Sequence, residues 1–202
     1  PQQGSITFRG KTFDHMNSRE VAEMGIARTF QNLALFKGMN VIDNIMSGRN
    51  LKMKTNIFQQ ALRIGAAERE EQAHREVVER IIDFLEIQAW RKTPVARLPY
   101  GLQKRVDLGR ALAMEPQVLL LDEPAAGVPE HEREQILDVV AALPKEVALI
   151  LIEHDMHLVF RFAKSISVLV NGGLFCEGTP EQIANDPRVR QVYLGEEEVQ
   201  HG

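Results

Sequence analysis

The sequence predicts an α/β fold built around a mostly parallel sheet. Two continuous apolar runs, at residues 118–121 and 147–152, flank a helix-forming stretch from about residue 130 to 143. Runs that are apolar on both faces are typical of parallel strands covered by helices on both sides. The alternation of strand, helix and strand therefore indicates an α/β domain, in which we expect both runs to be buried strands.

The composition is that of an ordinary soluble globular chain. The 202 residues carry 24 Lys and Arg against 28 Asp and Glu, a net charge of −4, with 44% hydrophobic residues. This balance argues against a broad nucleic-acid or anionic-membrane surface. No apolar run approaches the ~20 residues of a membrane span. Cys176 is the single cysteine, which excludes an internal disulfide and a cysteine-based zinc site.

Short elements precede the first buried run. Residues 5–9 alternate polar and apolar side chains, as a half-buried strand does. Asn17, with Glu20 three residues later, predicts a helix start, and Gly25 predicts its end. Residues 26–30 are expected to form a second strand that leads directly into the next loop.

Residues 41–87 have a helical pattern. Apolar residues recur at intervals of three and four and form one stripe, which comprises Val77, Val78, Ile81, Ile82 and Leu85. Opposite charges at i,i+4 spacing on the other face indicate a solvated surface rather than a binding site. A further helix is expected from residue 103 to 114, ending before Pro116.

The C-terminal part predicts a helix at 156–163 followed by a β-hairpin. Strands at 166–170 and 174–177 flank the turn Asn171-Gly172-Gly173. The segment Thr179-Pro180-Glu181-Gln182 combines a capping threonine with proline in the first turn and predicts one more helix start.

Two neighbouring acidic residues close the strand at 118–121. Asp122 and Glu123 follow it directly, and ligands of open α/β sheets bind beyond the carboxyl ends of the strands. One carboxylate there can hold Mg²⁺ through its water shell, and the second can orient or deprotonate an attacking water. Taken alone, the pair is explained equally well as a solvated acidic turn.

Other candidate groups follow other strands. Glu153 and His154 come after residues 147–152, so an imidazole is expected at the same edge of the sheet. A single histidine is more often structural than catalytic, but two adjacent strands that end this way favour a site. Gln31, after the strand at 26–30, can reach a metal or a water, or can be an exposed loop amide.

Residues 98–105, Leu-Pro-Tyr-Gly-Leu-Gln-Lys-Arg, predict a turn at a helix start. The unpaired N–H groups and the positive dipole end of a helix N-terminus suit phosphate. An ordinary glycine-containing loop explains the segment as well when it stands alone.

Together and in this order, these segments resemble an ATP-binding cassette (ABC) ATPase. The matching segments are Thr29-Phe30-Gln31 for the Q-loop, residues 98–105 for the signature motif, 118–123 for the Walker B strand with its catalytic glutamate, 126–129 for the D-loop, and His154 for the switch histidine. The resemblance covers essentially the whole chain. Within the family, the chain is most similar to the ATP-binding subunit of branched-chain amino-acid importers. The segments that carry this similarity are Tyr100-Gly101 and residues 122–127, 152–156, 178–181 and 192–195.

The resemblance implies a fold and a set of site residues. It implies a P-loop NTPase (RecA-like) core in a single domain 1–202, with a core lobe at 1–40 and 113–195 and a helical subdomain at 41–112. The implied hydrolytic residues are Glu123, His154 and Gln31, with Asp122 and Gln31 as Mg²⁺ ligands. The residues implied to contact ATP, across a nucleotide-sandwich dimer, are Tyr100, Gly101, Gln103 and Gly127.

Several positions depart from the usual family pattern. Pro99 and Tyr100 stand where serine and glycine are usual, Leu102 replaces a polar residue, and Pro129 occupies the D-loop Asp or Asn position. Residues 1–202 contain no phosphate-cradling G-x-x-x-x-G-K-[S/T] loop, since the only candidate, residues 4–12, has five residues between its glycines. We therefore expect a cassette represented without its N-terminal nucleotide-binding segment, binding nucleotide weakly as it stands.

The resemblance implies the ATP-hydrolysing subunit of an importer for branched-chain or other hydrophobic amino acids. The expected partners are a second ABC ATPase subunit, in a homo- or heterodimer, and membrane permeases that dock in a groove formed by the surface around residues 31–44 and the helical subdomain. A solute-binding protein acts indirectly, and no nucleic acid is expected. The expected location is the cytoplasmic face of the cell membrane, as a peripheral protein. Two alternatives stay open: a non-hydrolysing regulatory partner of a complete cassette, and the ATPase of another system such as a urea-type importer or a lipid exporter.

Overall fold

The computed structural model describes residues 4–13, 17–29, 33–53 and 66–192. The chain forms two compact units, Pro1–Ile152 and Glu153–Gly202. The described strands are β1 Ile6–Phe8, β2 Lys11–Phe13, β3 Ile26–Arg28, β4 Val118–Asp122, β5 Ala148–Ile152, β6 Ile166–Val170 and β7 Gly173–Gly178. The described helices are α1 Ser18–Glu23, α2 Val41–Ser47, α3 Ala66–Phe84, α4 Tyr100–Leu112, α5 Glu130–Ala141, α6 Met156–Phe162 and α7 Pro180–Asn185, with 3₁₀ turns at Gln88–Trp90 and Val95–Arg97.

A parallel sheet of order β3-β4-β5 organises the described part of the first unit. Its central strand β4 buries Leu119 and Leu121 completely or nearly so, which confirms the parallel α/β prediction. The run at 147–152 does contain the predicted strand, β5, but the prediction that this strand is buried is wrong for the described residues. Ile150 and Ile152 are 51% and 53% exposed, because side chains point alternately to the two faces of a strand and the described residues leave this face of β5 uncovered.

The N-terminal elements follow their local sequence signals. Asn17 accepts a hydrogen bond from the Glu20 N–H over 2.9 Å, and the Glu20 carboxylate accepts one from the Asn17 N–H over 3.3 Å. This capping box confirms the predicted start of α1. The strand β2 is not expected from the sequence. It forms because Arg9 and Gly10 both take positive φ, 51° and 76°, as a tight hairpin turn requires.

Helices α2, α3 and α4 pack on one another around a fully buried apolar core. Val78, Ile82 and Leu85 have no exposed surface, so the predicted stripe is confirmed at these positions. The helical pattern also covers residues 54–65, which lie outside the described residues. Helix α4 begins at Tyr100, three residues earlier than predicted, since Pro99 is extended (ψ 152°) and the helix starts directly after it.

A network of charged and polar side chains around the buried Arg49 joins the ends of α2 and α4 to α3. The Arg49 guanidinium, 5% exposed, donates to His74 Nδ1 over 3.0 Å and to the Ala113 carbonyl over 2.8 Å. It also pairs with the Glu115 carboxylate at 2.9 Å, and this hydrogen bond lowers the pKa of Glu115. Burial first, and then the charge of Arg49, lower the pKa of His74 from its ordinary value of 6.5, against the opposing charges of Glu70 and Glu115.

We expect this network to make stability depend on pH below neutrality. Because the pKa of His74 is lower in the folded protein than in the unfolded chain, the folded state binds fewer protons, and stability falls as the pH drops below about 6.5. The loss is at most about 1.4 kcal/mol per pH unit for one such group. The measurement is the free energy of unfolding in urea between pH 7.5 and 5.5, which lies above the ordinary pKa of 4.5 from which that of Glu115 is lowered.

His74→Gln keeps an acceptor for Arg49 but cannot be protonated, so it should flatten this pH dependence. His131→Gln is the matched control, because the side chain of His131 is 78% exposed. An unchanged pH slope in His74→Gln would contradict the assignment.

The second unit contains the predicted hairpin and helix. Strands β6 and β7 pair antiparallel, and Asn171 and Gly172 turn between them with φ of 50° and 78°. Thr179 caps α7 by accepting from the Gln182 N–H, which confirms the predicted helix start. None of the described helices, in either unit, has the length and apolar character needed to cross a membrane.

Candidate functional site

Strand β4 presents Asp122 at the carboxyl end of the parallel sheet. Arg28, at the end of the neighbouring strand β3, donates from Nη2 to Asp122 Oδ2 over 2.9 Å. The Asp122 side chain is 21% exposed and that of Arg28 is 50% exposed. A carboxylate oxygen is the type of ligand that Mg²⁺ takes, usually one or two with substrate phosphates and water completing the shell. Asp122 therefore fits the metal of a magnesium–nucleotide substrate, provided that Arg28 moves aside.

Glu123 occupies a backbone conformation that non-glycine residues seldom adopt. Its φ is +47°, in the left-handed region. Its N–H donates to the Ile152 carbonyl over 3.0 Å, and its carbonyl accepts from the Ala126 N–H over 3.1 Å. The Lys104 ammonium donates to the same carbonyl over 3.3 Å. Such conformations persist where the surroundings fix them, and they cluster at functional sites.

The start of α4 contacts the turn that follows Glu123. A methyl group on Gly127, whose φ is +72°, would lie 3.4 Å from Tyr100 Cε1. At Gly101, a methyl group would collide with the Glu132 carboxylate of α5, so a larger residue there would require the Glu132 side chain to turn aside. The Gln103 side chain donates to the Leu98 carbonyl over 2.8 Å and so tightens the turn before the helix.

The structure thus brings some of the sequence-predicted residues together. Asp122 and Glu123 lie at the end of β4, and Tyr100 lies against Gly127 in the same unit. Gln31 lies outside the described residues. His154 belongs to the second unit and is exposed; the next residue, Asp155, caps α6 by accepting from the His157 N–H over 2.9 Å. The roles of Gln31 and His154 stay predictions.

Sequence reasoning missed two charged residues that contact the site. Arg28 and Lys104 read as ordinary surface charges in the sequence, but both contact the Asp122–Glu123 pair. Lys104 stands four residues after Tyr100, and helical spacing puts the two on one face, a signal that could have identified it. No cluster of three or more His, Cys, Asp or Glu that could hold a metal occurs within the described ranges.

A separate cavity of about 490 Å³ lies away from the carboxyl ends of the strands. Its wall includes the β1–β2 hairpin, α1 and the residues after α2 and α4, with Arg9, Lys11 and Lys52 as its cations. Gly25 and Gln117, which precede β3 and β4, also line it. The cavity is therefore at the amino ends of these strands, and it is not part of the site that Asp122 and Glu123 define.

Comparison with known proteins identifies the class of protein. A nucleotide-free ATP-binding cassette from an ABC transporter superposes with a TM-score of 0.75 at 26% identity, over 95% of this chain and 77% of that one. A cassette in its ADP conformation gives the same score and identity, over 96% and 77%. Residues 1–126 match the ABC transporter family. The chain belongs to this family and is an ATPase of the ATP-binding cassette type, with the P-loop NTPase fold.

Similarity to two relatives and to a second family model indicates which kind of ABC ATPase this chain resembles. The high-affinity branched-chain amino acid transport ATP-binding protein LivG of Salmonella typhimurium is 35% identical over 201 residues, 97% of this chain and 78% of LivG. BraF of Pseudomonas aeruginosa, with the same description, is 33% identical over 198 residues, with the same coverage. Residues 174–199 match a second family, described as branched-chain amino acid ATP-binding cassette transporter. The chain is thus similar to the ATP-binding proteins of branched-chain amino acid transport.

Proposed function

We propose that this chain is the ATP-hydrolysing subunit of an importer for branched-chain or other hydrophobic amino acids. The observation that carries the proposal is the pair Asp122 and Glu123 at the carboxyl end of β4, against the start of α4. The similarity to LivG and BraF, whose names state branched-chain amino acid transport, supports the solute class.

In this proposal the substrate is ATP with its Mg²⁺. Asp122 holds the metal through its water shell, with Gln31 as a further ligand, and Glu123 orients and polarises the water that attacks the γ-phosphorus. The new bond joins water oxygen to phosphorus, the bond to ADP breaks, and the water proton passes toward the Glu123 carboxylate. Acid–base assistance of this kind contributes typically ~10²–10⁴ in rate. His154 contacts the γ-phosphate.

The remaining ATP contacts come from a second subunit in a nucleotide-sandwich dimer. Tyr100, Gly101, Gln103 and Gly127 face the nucleotide held by the partner cassette, either a second copy or a related chain. Pro99 lacks an N–H and caps α4 without a side-chain hydrogen bond, so phosphate recognition at this helix start depends on the backbone after it.

In this proposal, membrane permeases dock on the loop before α2, and the chain is therefore a peripheral protein at the cytoplasmic face of the membrane. Phe36 and Met39 in this loop are 52% and 45% exposed, although large apolar residues usually lie inside. Asn44, with no exposed surface, accepts from the Phe36 N–H and donates to the Phe36 and Met39 carbonyls. The loop is thus a fixed apolar surface suited to a partner protein. A solute-binding protein acts through the permeases.

We expect Asp122→Asn to raise the Mg²⁺ concentration needed for half-maximal ATP hydrolysis by about 10-fold or more. The neutral amide keeps the shape of the carboxylate but loses a charge-assisted interaction, typically ~1.5–3 kcal/mol. The measurement is a Mg²⁺ titration of phosphate release by the full-length protein. Asp43→Asn, an exposed aspartate on α2, is the control. An unchanged Mg²⁺ requirement contradicts the role given to Asp122.

Transport measurements test the function itself. Proteoliposomes with the full-length protein and its permeases should take up labelled leucine, isoleucine and valine when supplied with ATP and the solute receptor. Uptake of urea instead, or export of lipid, identifies another transport system. Uptake that needs a second cassette with its own catalytic glutamate, and that survives Glu123→Gln in this chain, supports the non-hydrolysing alternative.

A further inference from the structure

Lys104 is a buried lysine whose ammonium reaches the turn that carries Glu123. It lies in the second turn of α4 and is 7% exposed, although lysines are almost never buried unless they are paired. Its Nζ donates to the Glu123 carbonyl over 3.3 Å. The same ammonium lies 5.6 Å from the centre of the Tyr100 ring, within cation–π distance.

This contact holds a peptide in an unfavourable conformation. Glu123 takes a left-handed φ of +47°, which is unfavourable for a residue with a β-carbon and persists only where neighbours fix it. The Ile152 carbonyl fixes its N–H. On the other side, its carbonyl accepts from the Ala126 N–H and from Lys104. A side chain of α4 therefore helps to set the peptide plane that follows Glu123, and hence the direction of the Glu123 side chain.

We propose that Lys104 is a positioning residue for ATP hydrolysis, which holds the Glu123–Pro124 peptide so that the Glu123 carboxylate faces the attacking water. This inference rests on the hydrolytic role proposed for Glu123. Lys104 is on the same helix as Tyr100 and Gly101. It therefore links the α4 start, proposed to contact the partner's nucleotide, to the carboxylate of its own subunit.

The proposal predicts a lower rate of ATP turnover with little change in nucleotide binding. The Lys104 contact is to a backbone carbonyl and not to the nucleotide, so its loss should leave the KM for ATP within twofold. Loss of a hydrogen bond from a charged donor, with misorientation of the catalytic carboxylate, should lower kcat about 10- to 100-fold. A change confined to kcat identifies an interaction that acts in the transition state.

The test compares variants of the full-length protein by steady-state phosphate release, fluorescent-nucleotide binding and thermal unfolding. Lys104→Met keeps an unbranched apolar stem without a donor, and Lys104→Arg keeps a cationic donor. We expect Lys104→Met to show the kcat loss with unchanged nucleotide affinity, and Lys104→Arg to recover most of the rate. Lys145→Met, at an exposed lysine before β5, should match the wild type. Lys104→Gln, neutral and shorter, gives a second test should the methionine variant melt several degrees lower.

Two results overturn the inference in distinguishable ways. Loss of turnover in Glu123→Gln, with Lys104→Met and Lys104→Gln both within twofold of the wild-type kcat, contradicts the role of Lys104 and leaves the proposed function intact. Undiminished turnover in Glu123→Gln contradicts the proposed function, and with it this inference.

Discussion

Glu123→Gln should reduce ATP hydrolysis by the full-length protein at least 100-fold while leaving ATP binding intact. Glutamine preserves the size of the side chain and the left-handed backbone of residue 123, but it cannot accept a proton from the attacking water. Removal of a positioned general base typically costs ~10²–10⁴ in rate. The measurement is phosphate release at saturating Mg²⁺ and ATP, paired with nucleotide binding by fluorescence.

The control for this substitution is Glu146→Gln, at an exposed glutamate in the loop before β5. It changes the net charge by the same amount away from the site, so it should leave the rate unchanged. A hydrolysis rate in Glu123→Gln equal to that of Glu146→Gln would show that the carboxylate at the end of β4 does not take part in the reaction.

Asn44→Ala should have the largest effect on stability and should also impair transport. The Asn44 side chain folds the loop before α2: its oxygen accepts from the Phe36 N–H over 2.8 Å, and its NH2 group shares its two hydrogens among the carbonyls of Phe36, Met39 and Asn40, over 3.1, 3.3 and 2.9 Å. Buried partners left without a hydrogen bond typically cost about 1–3 kcal/mol. For a chain of this size, that lowers the melting temperature by roughly 2–12 °C.

The same loop carries Phe36 and Met39, which we propose as permease contacts. At a temperature where Asn44→Ala is still folded, we therefore expect weaker association with the permeases. Asn50→Ala, at an exposed asparagine after α2, is the control for both the melting and the binding experiment. Melting temperatures of the two variants within 1 °C of each other would contradict the structural role of Asn44.

Structural features that depend on residues close together in the sequence were predictable. The capping boxes at Asn17 and Thr179 and the turn at Asn171-Gly172 depend on neighbours three or fewer positions away, and the structure confirms them. The apolar run of β4 was predictable too, because a run that is apolar on both faces is typical of a parallel strand covered by helices on both sides.

Features that depend on distant neighbours were not predictable. The exposure of β5 depends on which other elements of the fold pack against it, and a run of apolar residues in the sequence does not reveal those elements. The acid pair at the end of β4 was identified from its position, but its surroundings were not. Arg28 is 94 residues from Asp122 along the chain and Lys104 is 19 residues from Glu123, so only the packing of α4 and β3 against β4 brings them together.

The most direct test of the site is the structure of the full-length Glu123→Gln protein with Mg²⁺ and ATP. We expect the metal next to Asp122, and the residue 123 amide within about 2.6–3.2 Å of a water in line with the bond between the β- and γ-phosphates. The start of α4 from a second subunit should face the γ-phosphate. Nucleotide bound instead in the cavity lined by Arg9, Lys11 and Lys52, with Asp122 still paired to Arg28, would contradict this assignment.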